Sequence, residues 1–352
     1  MANIAQAIRL ALHVGETKLG VTDIFGEDVG PPLGGVFTCT QGLETAWNSP
    51  LDERGIVGTS FGLALAGCRN VAEIQFCDYI FNTIDLLKLI GNCRWSSNGQ
   101  FNVPLVIMTP VGSGIHGSLY HSHSFDAAMT HIPGWKVVLP STPKDCYGLM
   151  ISAIKDPNPV MFLYPKALIR TQSKDLIPGE PEEARALSKR IDAPVGAARE
   201  SWTPDWPDLP DFEIPIGQAK SVREGEDLTI VTYGRTTPLC AAVADQLNDD
   251  GISVEVIDLR TLYPYDWDAI VKSVRKTRRL LQVNEDTEVT NFGEHLVRRV
   301  TEELFYELEA PPKMLAGVNT PGIGLAWNLE KNQVPQADDI EREARALAAT
   351  YA

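Results

Sequence analysis

The 352-residue sequence lacks an apolar run near the roughly 20 residues that a helix needs to cross a bilayer, so no membrane-spanning segment is predicted. Basic residues are also scarce, because 31 Lys and Arg stand against 46 Asp and Glu, a formal net charge of −15. Nucleic-acid phosphates and anionic membranes bind basic surfaces, so neither is expected as a partner. The hydrophobic share of 44% is that of a globular protein with a buried core.

Paired cysteines are missing as well. The six cysteines include no C-x-x-C and no other spacing typical of zinc or redox sites. We therefore expect reduced thiols and a location in the cytoplasm. The first 16 residues have no signal-peptide cleavage pattern, and Ile4, Ile8 and Leu12 recur at helical spacing, which predicts an N-terminal helix.

Continuous apolar runs alternate with segments of helical composition, such as 55–66 and 143–155. Apolar runs without alternation are typical of strands buried on both faces of a parallel sheet. The pattern therefore predicts an α/β fold. The predicted strands are 20–25, 71–76, 104–110, 135–140 and 159–164 in the first half, and 228–234, 253–259 and 279–285 in the second.

The alternation of strands and helices stops between the two halves, in a segment rich in Pro, Trp and charge. A chain of this length accommodates two domains with separate cores. We predict a first α/β domain at 1–180, an inserted segment at 181–213 and a second α/β domain at 214–352. The inserted segment is longer than a linker needs, so we expect it to cover a neighbouring surface.

The stretch GSGIHGSLYHSHS, residues 112–124, follows the third predicted strand and contains G-x-G-x-x-G. In a dinucleotide site this pattern follows the first strand of its domain, opens a helix and precedes an acidic residue about 20 positions later. These conditions are not met here, which disfavours a dinucleotide. A metal site at His121 and His123 would need further ligands, and none lies at a recognisable spacing. A glycine-rich loop without a ligand is the plain alternative.

Six longer stretches, taken in order, are more specific than this triplet. They are FGEDVG...GGVFTCTQGL (25–43), NSPLDERGIVG (48–58), AEIQFCDYIFNTID (72–85), HGSLYHSHSFDA (116–127), 134–162 and 256–286. Together they resemble the beta subunit of the thiamine-diphosphate-dependent decarboxylating component of 2-oxo acid dehydrogenase complexes. The motifs IQF-x-DYIF and GGVF resemble the branched-chain members of that family more than the pyruvate members.

The resemblance implies two parallel-sheet α/β domains, a pyrimidine-binding domain and a transketolase-type C-terminal domain. It implies that thiamine diphosphate is shared with an alpha subunit, which holds the diphosphate and Mg²⁺ through a G-D-G motif that this sequence lacks. The implied assembly has two alpha and two beta subunits. Its substrate would be a small 2-oxo acid, and its acyl acceptor a lipoyl domain of an acyltransferase core, which the C-terminal domain would dock.

Four residues match family positions that have a role in catalysis or cofactor binding. Glu53 matches the glutamate that protonates or hydrogen-bonds the aminopyrimidine ring and so favours its imino tautomer. Tyr79 matches the aromatic residue that stacks on this ring, and Gln75 matches a residue of the same pocket. His121 matches a histidine that contacts the substrate and transfers a proton during acylation. Without the resemblance, these residues read as a surface turn, core packing and a structural loop histidine.

Asp156 and Asn158, in KDPNP, match family positions around a bound potassium ion, and a simple turn is the alternative. Two other functions remain open for the whole chain. One is another two-chain thiamine enzyme, transketolase-like or acetoin-cleaving, and the other is a catalytically silent scaffold subunit.

Overall fold

The computed structural model describes residues 1–183, 185–199 and 201–350. The strands are β1 Val21–Gly26, β2 Ala46–Asn48, β3 Arg69–Glu73, β4 Leu105–Val111, β5 Lys136–Val138, β6 Val160–Pro165, β7 Lys220–Arg223, β8 Leu228–Thr232, β9 Val254–Asp258, β10 Thr261–Tyr263, β11 Leu280–Thr287 and β12 Lys313–Gly317. The helices are α1 Ile4–Lys18, α2 Glu53–Leu65, α3 Ile84–Ser96, α4 Asp126–Thr130, α5 Pro143–Lys155, α6 Ala186–Ile191, α7 Thr236–Asp249, α8 Trp267–Thr277, α9 Phe292–Leu304, α10 Trp327–Gln333 and α11 Ala337–Ala348. Within the described residues, none of these helices is long and apolar enough to cross a membrane.

The strands form two separate sheets. The first has seven strands in the order β10-β5-β6-β4-β3-β1-β2, and the second has five in the order β12-β11-β8-β9-β7. All pairs are parallel except those of β10 with β5 and of β7 with β9, at the sheet edges. The central strands β4 and β6 are buried along their whole length, because helices cover both faces of the sheet. The predicted α/β class with two parallel-sheet domains is confirmed.

Each of the eight predicted strands forms, whereas the short strands β2, β7, β10 and β12 were not predicted. The predicted N-terminal helix forms as α1, and Asn3 caps it by accepting a hydrogen bond from Gln6 N in a capping box. All six cysteines lie in the described part of the chain and are free thiols.

The inserted segment packs on the outer surface of the first domain. Helix α1 packs on α5 there. Trp206 stacks on His13 of α1, with ring centroids 4.3 Å apart. On α5, the Tyr147 hydroxyl donates a hydrogen bond of 2.6 Å to Pro210 O. The described residues of segment 181–213 therefore contact α1 through Trp206 and α5 through Pro210, while the domain boundaries at 180 and 213 stay predictions.

The two domains are joined through strand β10, which leaves the C-terminal half to pair with β5. Beside this pairing, Leu139 N donates to Arg260 O at 2.8 Å. The Arg260 guanidinium donates to Asp145 Oδ1 at 3.0 Å, and the Ser141 hydroxyl donates to Asp258. Burial raises the pKa of Asp258 to about 7. Backbone pairing and buried polar contacts thus hold the second domain against the first.

Candidate functional site

Neighbouring strands β4, β3 and β1 run parallel and therefore end at the same edge of the first sheet, which we name the carboxyl edge. Side chains that follow these strand ends collect in one place. Glu27 follows β1, and His121 lies in the loop after β4. Gln75 and Tyr79 follow β3. Glu53 joins this region as the first residue of α2, which packs against β3.

Tyr79 and His121 are in direct contact. The Tyr79 hydroxyl lies 2.7 Å from His121 Nε2, and His121 Nδ1 lies 3.1 Å from Gly117 O. Because a carbonyl oxygen only accepts, Nδ1 carries the proton, and in the neutral ring Nε2 accepts from the Tyr79 hydroxyl. Phe76 stands edge-on to the imidazole, with ring centroids 4.5 Å apart. The contacts to these three residues fix the orientation of the histidine.

Carboxylates crowd the same edge. The pKa of Glu27 is raised, first by partial burial and then by the neighbouring charges of Asp28 and Glu53. The pKa of the Tyr79 hydroxyl is also raised, first by burial and then by Asp78, Glu27 and Glu53. Protons are therefore held more firmly at this edge than in water. Shifts caused by burial together with like charges are common where a site moves protons.

Gln75 links the loops that follow β1 and β3. Its amide nitrogen donates to Asp28 Oδ2 at 3.1 Å and to Glu27 O at 3.4 Å. Gln75 is half-buried, so its side chain supports the wall of the carboxyl edge. It thereby holds Glu27 and Asp28 beside the segment that carries Tyr79.

Glu53 is half-buried, whereas the preceding Asp52 is exposed. Arg54 pairs instead with Asp85 of α3, at 2.7 Å between Nη2 and Oδ2. Among the hydrogen bonds of the described residues, none involves the Glu53 carboxylate. Its placement near Glu27 fits the role that the sequence predicts for it, and that role itself stays a prediction.

Asp156 and Asn158 lie elsewhere. They precede β6 and therefore stand at the opposite end of the sheet, which we name the amino edge. Asn158 N and Nδ2 donate to Asp156 Oδ1 at 2.9 and 2.8 Å, and the ammonium of Lys136 pairs with Asp156 Oδ2. The structure does not bring these two residues to the carboxyl edge.

The loop glycines make room for this chain's own side chains. A Cβ at Gly112 would lie 2.0 Å from Glu285 Oε1, and one at Gly114 would lie 2.6 Å from the Ala167 Cβ. Both glycines have positive φ, +85° and +96°. Protein atoms therefore occupy the space that a side chain at either position would need. In the part of the chain that the structure describes, no group of three or more His, Cys, Asp or Glu could hold a metal ion.

Sequence reasoning assigned no role to Glu27 or Glu73. Glu73 ends β3, is fully buried and accepts a hydrogen bond of 3.1 Å from the Tyr164 hydroxyl. Its other oxygen, Oε1, has no hydrogen-bond partner within the described residues. Burial raises the pKa of Glu73 to about 7. In the sequence, both glutamates stand at the carboxyl end of an apolar run, and this position is the feature that could have identified them.

Two family models match this chain. The transketolase pyrimidine-binding domain matches residues 2–172, and the transketolase C-terminal domain matches residues 217–340. A solved structure described as split-gene transketolase, inactive beta4 tetramer, superposes with a TM-score of 0.69 over 100% of both chains. Its sequence is 16% identical, so this likeness shows the fold alone.

Curated relatives are more similar in sequence. The 2-oxoisovalerate dehydrogenase subunit beta of Bacillus subtilis is 36% identical over 97% of both chains. A mitochondrial 2-oxoisovalerate dehydrogenase subunit beta of Arabidopsis thaliana is 38% identical over 91% of this chain and 82% of its own length. The pyruvate dehydrogenase E1 component subunit beta of Acholeplasma laidlawii is 36% identical over 98% of this chain and 96% of its own. The chain therefore belongs to the family of 2-oxo acid dehydrogenase beta subunits, which combine a transketolase-type pyrimidine-binding domain with a transketolase-type C-terminal domain.

Proposed function

We propose that this chain is the beta subunit of a thiamine-diphosphate-dependent 2-oxo acid dehydrogenase, acting on a branched-chain 2-oxo acid with a separate alpha subunit. The observation that carries the proposal is the meeting of Glu53, Tyr79 and His121 at the carboxyl edge, with Tyr79 and His121 hydrogen-bonded at 2.7 Å. Three residue types that this chemistry requires come from three separate segments of the chain.

The residues present fit the aminopyrimidine half of the cofactor. Tyr79 is half-buried and offers an aromatic face on which a flat ring can stack. The Glu53 carboxylate makes no hydrogen bond within the described residues. It can therefore share a proton with a weakly basic ring nitrogen. Bound thiamine diphosphate supplies the electron sink that decarboxylation of a 2-oxo acid needs.

His121 would act on the substrate rather than on the pyrimidine. Its Nδ1 proton is committed to Gly117 O, and its Nε2 accepts from the Tyr79 hydroxyl. The Nε2 atom can therefore take up a proton and later return it to the substrate or to the acyl acceptor. Tyr79 would then have two roles, because its ring would offer a stacking face for the cofactor while its hydroxyl orients the histidine.

A partner chain is needed to complete this site. The sequence has no G-D-G motif for the diphosphate and Mg²⁺, so we assign both to the alpha subunit. Apolar side chains near the site are open to solvent: Leu51 is 73% exposed and Tyr120 68% exposed. A partner chain packed over the site would bury both side chains. We propose an assembly of two alpha and two beta subunits that reductively acylates a lipoyl domain of an acyltransferase core.

Several finer expectations stay predictions. A potassium ion at Asp156 would have to share its carboxylate with the Lys136 ammonium, which already pairs with it. Docking of the acyltransferase by the C-terminal domain is a second such prediction, and a cytoplasmic location is a third.

The test is decarboxylation of 2-oxoisovalerate by the chain reconstituted with its alpha subunit. We expect Glu53→Gln to lower turnover at least ~100-fold, the low end for a positioned acid–base group. The matched control is Asp52→Asn, which removes the neighbouring exposed carboxylate and should leave turnover unchanged. Full activity of the Glu53→Gln enzyme would instead favour a catalytically silent scaffold.

The acyl acceptor separates the remaining alternative. A lipoyl domain should be acylated in the presence of 2-oxoisovalerate or pyruvate, with the branched substrate preferred. Transfer to an aldehyde, with no reaction on the lipoyl domain, would identify a two-chain enzyme of the transketolase-like or acetoin-cleaving type.

A further inference from the structure

The loop that carries His121 is held by two glutamates of the C-terminal domain. Ser113 N and Oγ donate to Glu285 Oε2 at 3.0 and 2.9 Å. Gly114 N donates to Glu330 Oε1, and His116 Nδ1 lies 2.6 Å from Glu330 Oε2. Glu330 is separated from Gly114 by 216 positions in the sequence. Loop 112–124 is therefore fixed from outside its own domain.

Within the described residues, the polar contacts of the Glu330 carboxylate are all with the loop. It belongs to α10, a two-turn helix whose Trp327 and Leu329 are 59% and 54% exposed, yet the glutamate itself is 2% exposed. Removing a carboxylate from water is costly unless hydrogen-bond donors replace the water. The Gly114 amide donates to Oε1. Oε2 has no hydrogen-bond partner within the described residues and lies 2.6 Å from His116 Nδ1, an ion pair whenever that imidazole is protonated. The contacts that compensate the buried carboxylate therefore come from the loop.

The loop in turn needs an external support. His116 and Ser118 have φ of +56° and +62°, a left-handed conformation that is strained for a residue with a side chain. Such conformations persist only where surrounding contacts impose them. These two residues lie between Gly114, which Glu330 binds, and His121, whose Nδ1 bonds to Gly117 O. A shift of the loop backbone would therefore move the His121 ring.

A second contact from the same C-terminal segment supports the loop. A Cβ at Gly322 would lie 2.4 Å from Leu119 Cδ2, so the Gly322 backbone packs directly against the loop. Gln333 of α10 holds this turn, because its Nε2 donates to Gly322 O at 2.9 Å and its Oε1 accepts from Gly324 N at 2.6 Å. Helix α10 thus positions both its glutamate and the turn that abuts the loop.

We propose that Glu330 is a positioning residue that acts through loop 112–124 to hold His121 against Tyr79. The C-terminal domain then contributes to catalysis in this chain without touching substrate or cofactor. This inference rests on the proposed function for its catalytic consequence, whereas the structural consequence, an ordered loop, does not depend on it.

The structural arm of the test is amide hydrogen exchange of the reconstituted enzyme. Glu330→Ala should raise exchange within residues 112–124 at least tenfold, and Glu330→Gln should stay within threefold of the wild type, because its amide still accepts from Gly114. Glu288→Gln is the control, since Glu288 is an exposed carboxylate of the same domain that contacts Asn319 instead of the loop. Wild-type exchange in Glu330→Ala would overturn the proposal, as would equal loosening in Glu330→Gln.

The catalytic arm is a double-mutant comparison. Glu330→Ala should lower kcat about tenfold with KM for the 2-oxo acid changed less than twofold, and should add no further loss in a His121→Ala background. Full additivity of the two substitutions, or unchanged kcat with a loosened loop, would contradict positioning of His121. If the wild-type complex decarboxylates no 2-oxo acid, the proposed function fails, and the exchange data still decide whether Glu330 holds the loop. A melting temperature lowered without faster loop exchange would indicate a role in stability alone and would overturn the inference.

Discussion

The carboxylates at the two ends of the first sheet have different neighbours. At the amino edge, Asp156 pairs with the Lys136 ammonium and accepts two further hydrogen bonds from Asn158. At the carboxyl edge, Glu27 and Glu53 approach each other, and the charges of Asp28 and Glu53, both negative, raise the pKa of Glu27 after burial has done so. The comparison indicates which carboxylates support the fold and which are free for chemistry. A paired carboxylate stabilises structure, whereas a crowded one can exchange a proton.

The largest expected effect concerns Glu73, the buried carboxyl at the carboxyl edge. Its folded-state pKa of about 7 lies above the ordinary value of 4.5, so the native protein binds more protons than the unfolded chain between these pH values. Stability should therefore fall as pH rises through this window, by about 3 kcal/mol at 1.36 kcal/mol per pKa unit.

Urea denaturation of the chain between pH 4.5 and 8.5 measures how the free energy of unfolding changes with pH. Glu73→Gln keeps an acceptor for the Tyr164 hydroxyl and should reduce the pH dependence by the share that Glu73 contributes, while Asp258, whose pKa burial also raises to about 7, keeps its own share. Glu44→Gln, at an exposed position of the same domain, should leave it as in the wild type. Identical profiles for wild type and Glu73→Gln would show that Glu73 is ionised in the native state.

The next effect tests the contact at the carboxyl edge. His121→Ala should lower kcat/KM for the 2-oxo acid about 100-fold, close to 2.7 kcal/mol, because it removes a general acid–base group. Tyr79→Phe keeps the aromatic face and removes only the hydroxyl, so we expect a smaller loss of about 1 kcal/mol. Steady-state kinetics of the reconstituted enzyme measures both. A larger loss in Tyr79→Phe than in His121→Ala would reverse the roles assigned to the two residues.

The smallest effect concerns the amino edge. Lys136→Met removes the partner of a largely buried carboxylate and should cost about 1 kcal/mol of unfolding free energy, between the values for exposed and buried pairs. Turnover should be unchanged, because Lys136 is at the far end of the sheet from His121. Lys88→Met, at an exposed lysine of α3, is the control for stability. Lost turnover in Lys136→Met would break the division between the two edges.

The fold was predicted well where the evidence in the sequence is local. Long apolar runs such as β4 and β6 are buried on both faces, so their composition alone marks them as parallel strands. Strand β10 was missed because its three residues carry no pattern of their own and form a strand only by pairing with β5. The same holds for β2, which is three residues long and pairs with β1.

The site was predicted in part. Glu53, Tyr79, Gln75 and His121 were selected because their motifs resemble a family, and the structure gathers them at one edge. Glu330 was missed, since its partners are a backbone amide and an imidazole more than 200 positions earlier in the chain. A glutamate in a polar helix reads as exposed until its neighbours in space are known.

The sequence by itself determined the class of the fold, the order of the main strands and the family, because apolar runs and short motifs are properties of neighbouring residues. Tertiary structure alone decided which carboxylates are paired. It also decided that β10 pairs with β5 in the first sheet and that glutamates of the C-terminal domain bind the loop that carries His121. The physical reason is that burial and hydrogen-bond partners depend on contacts between distant segments. Packing against those segments, and not local composition, selects one partner for each polar group.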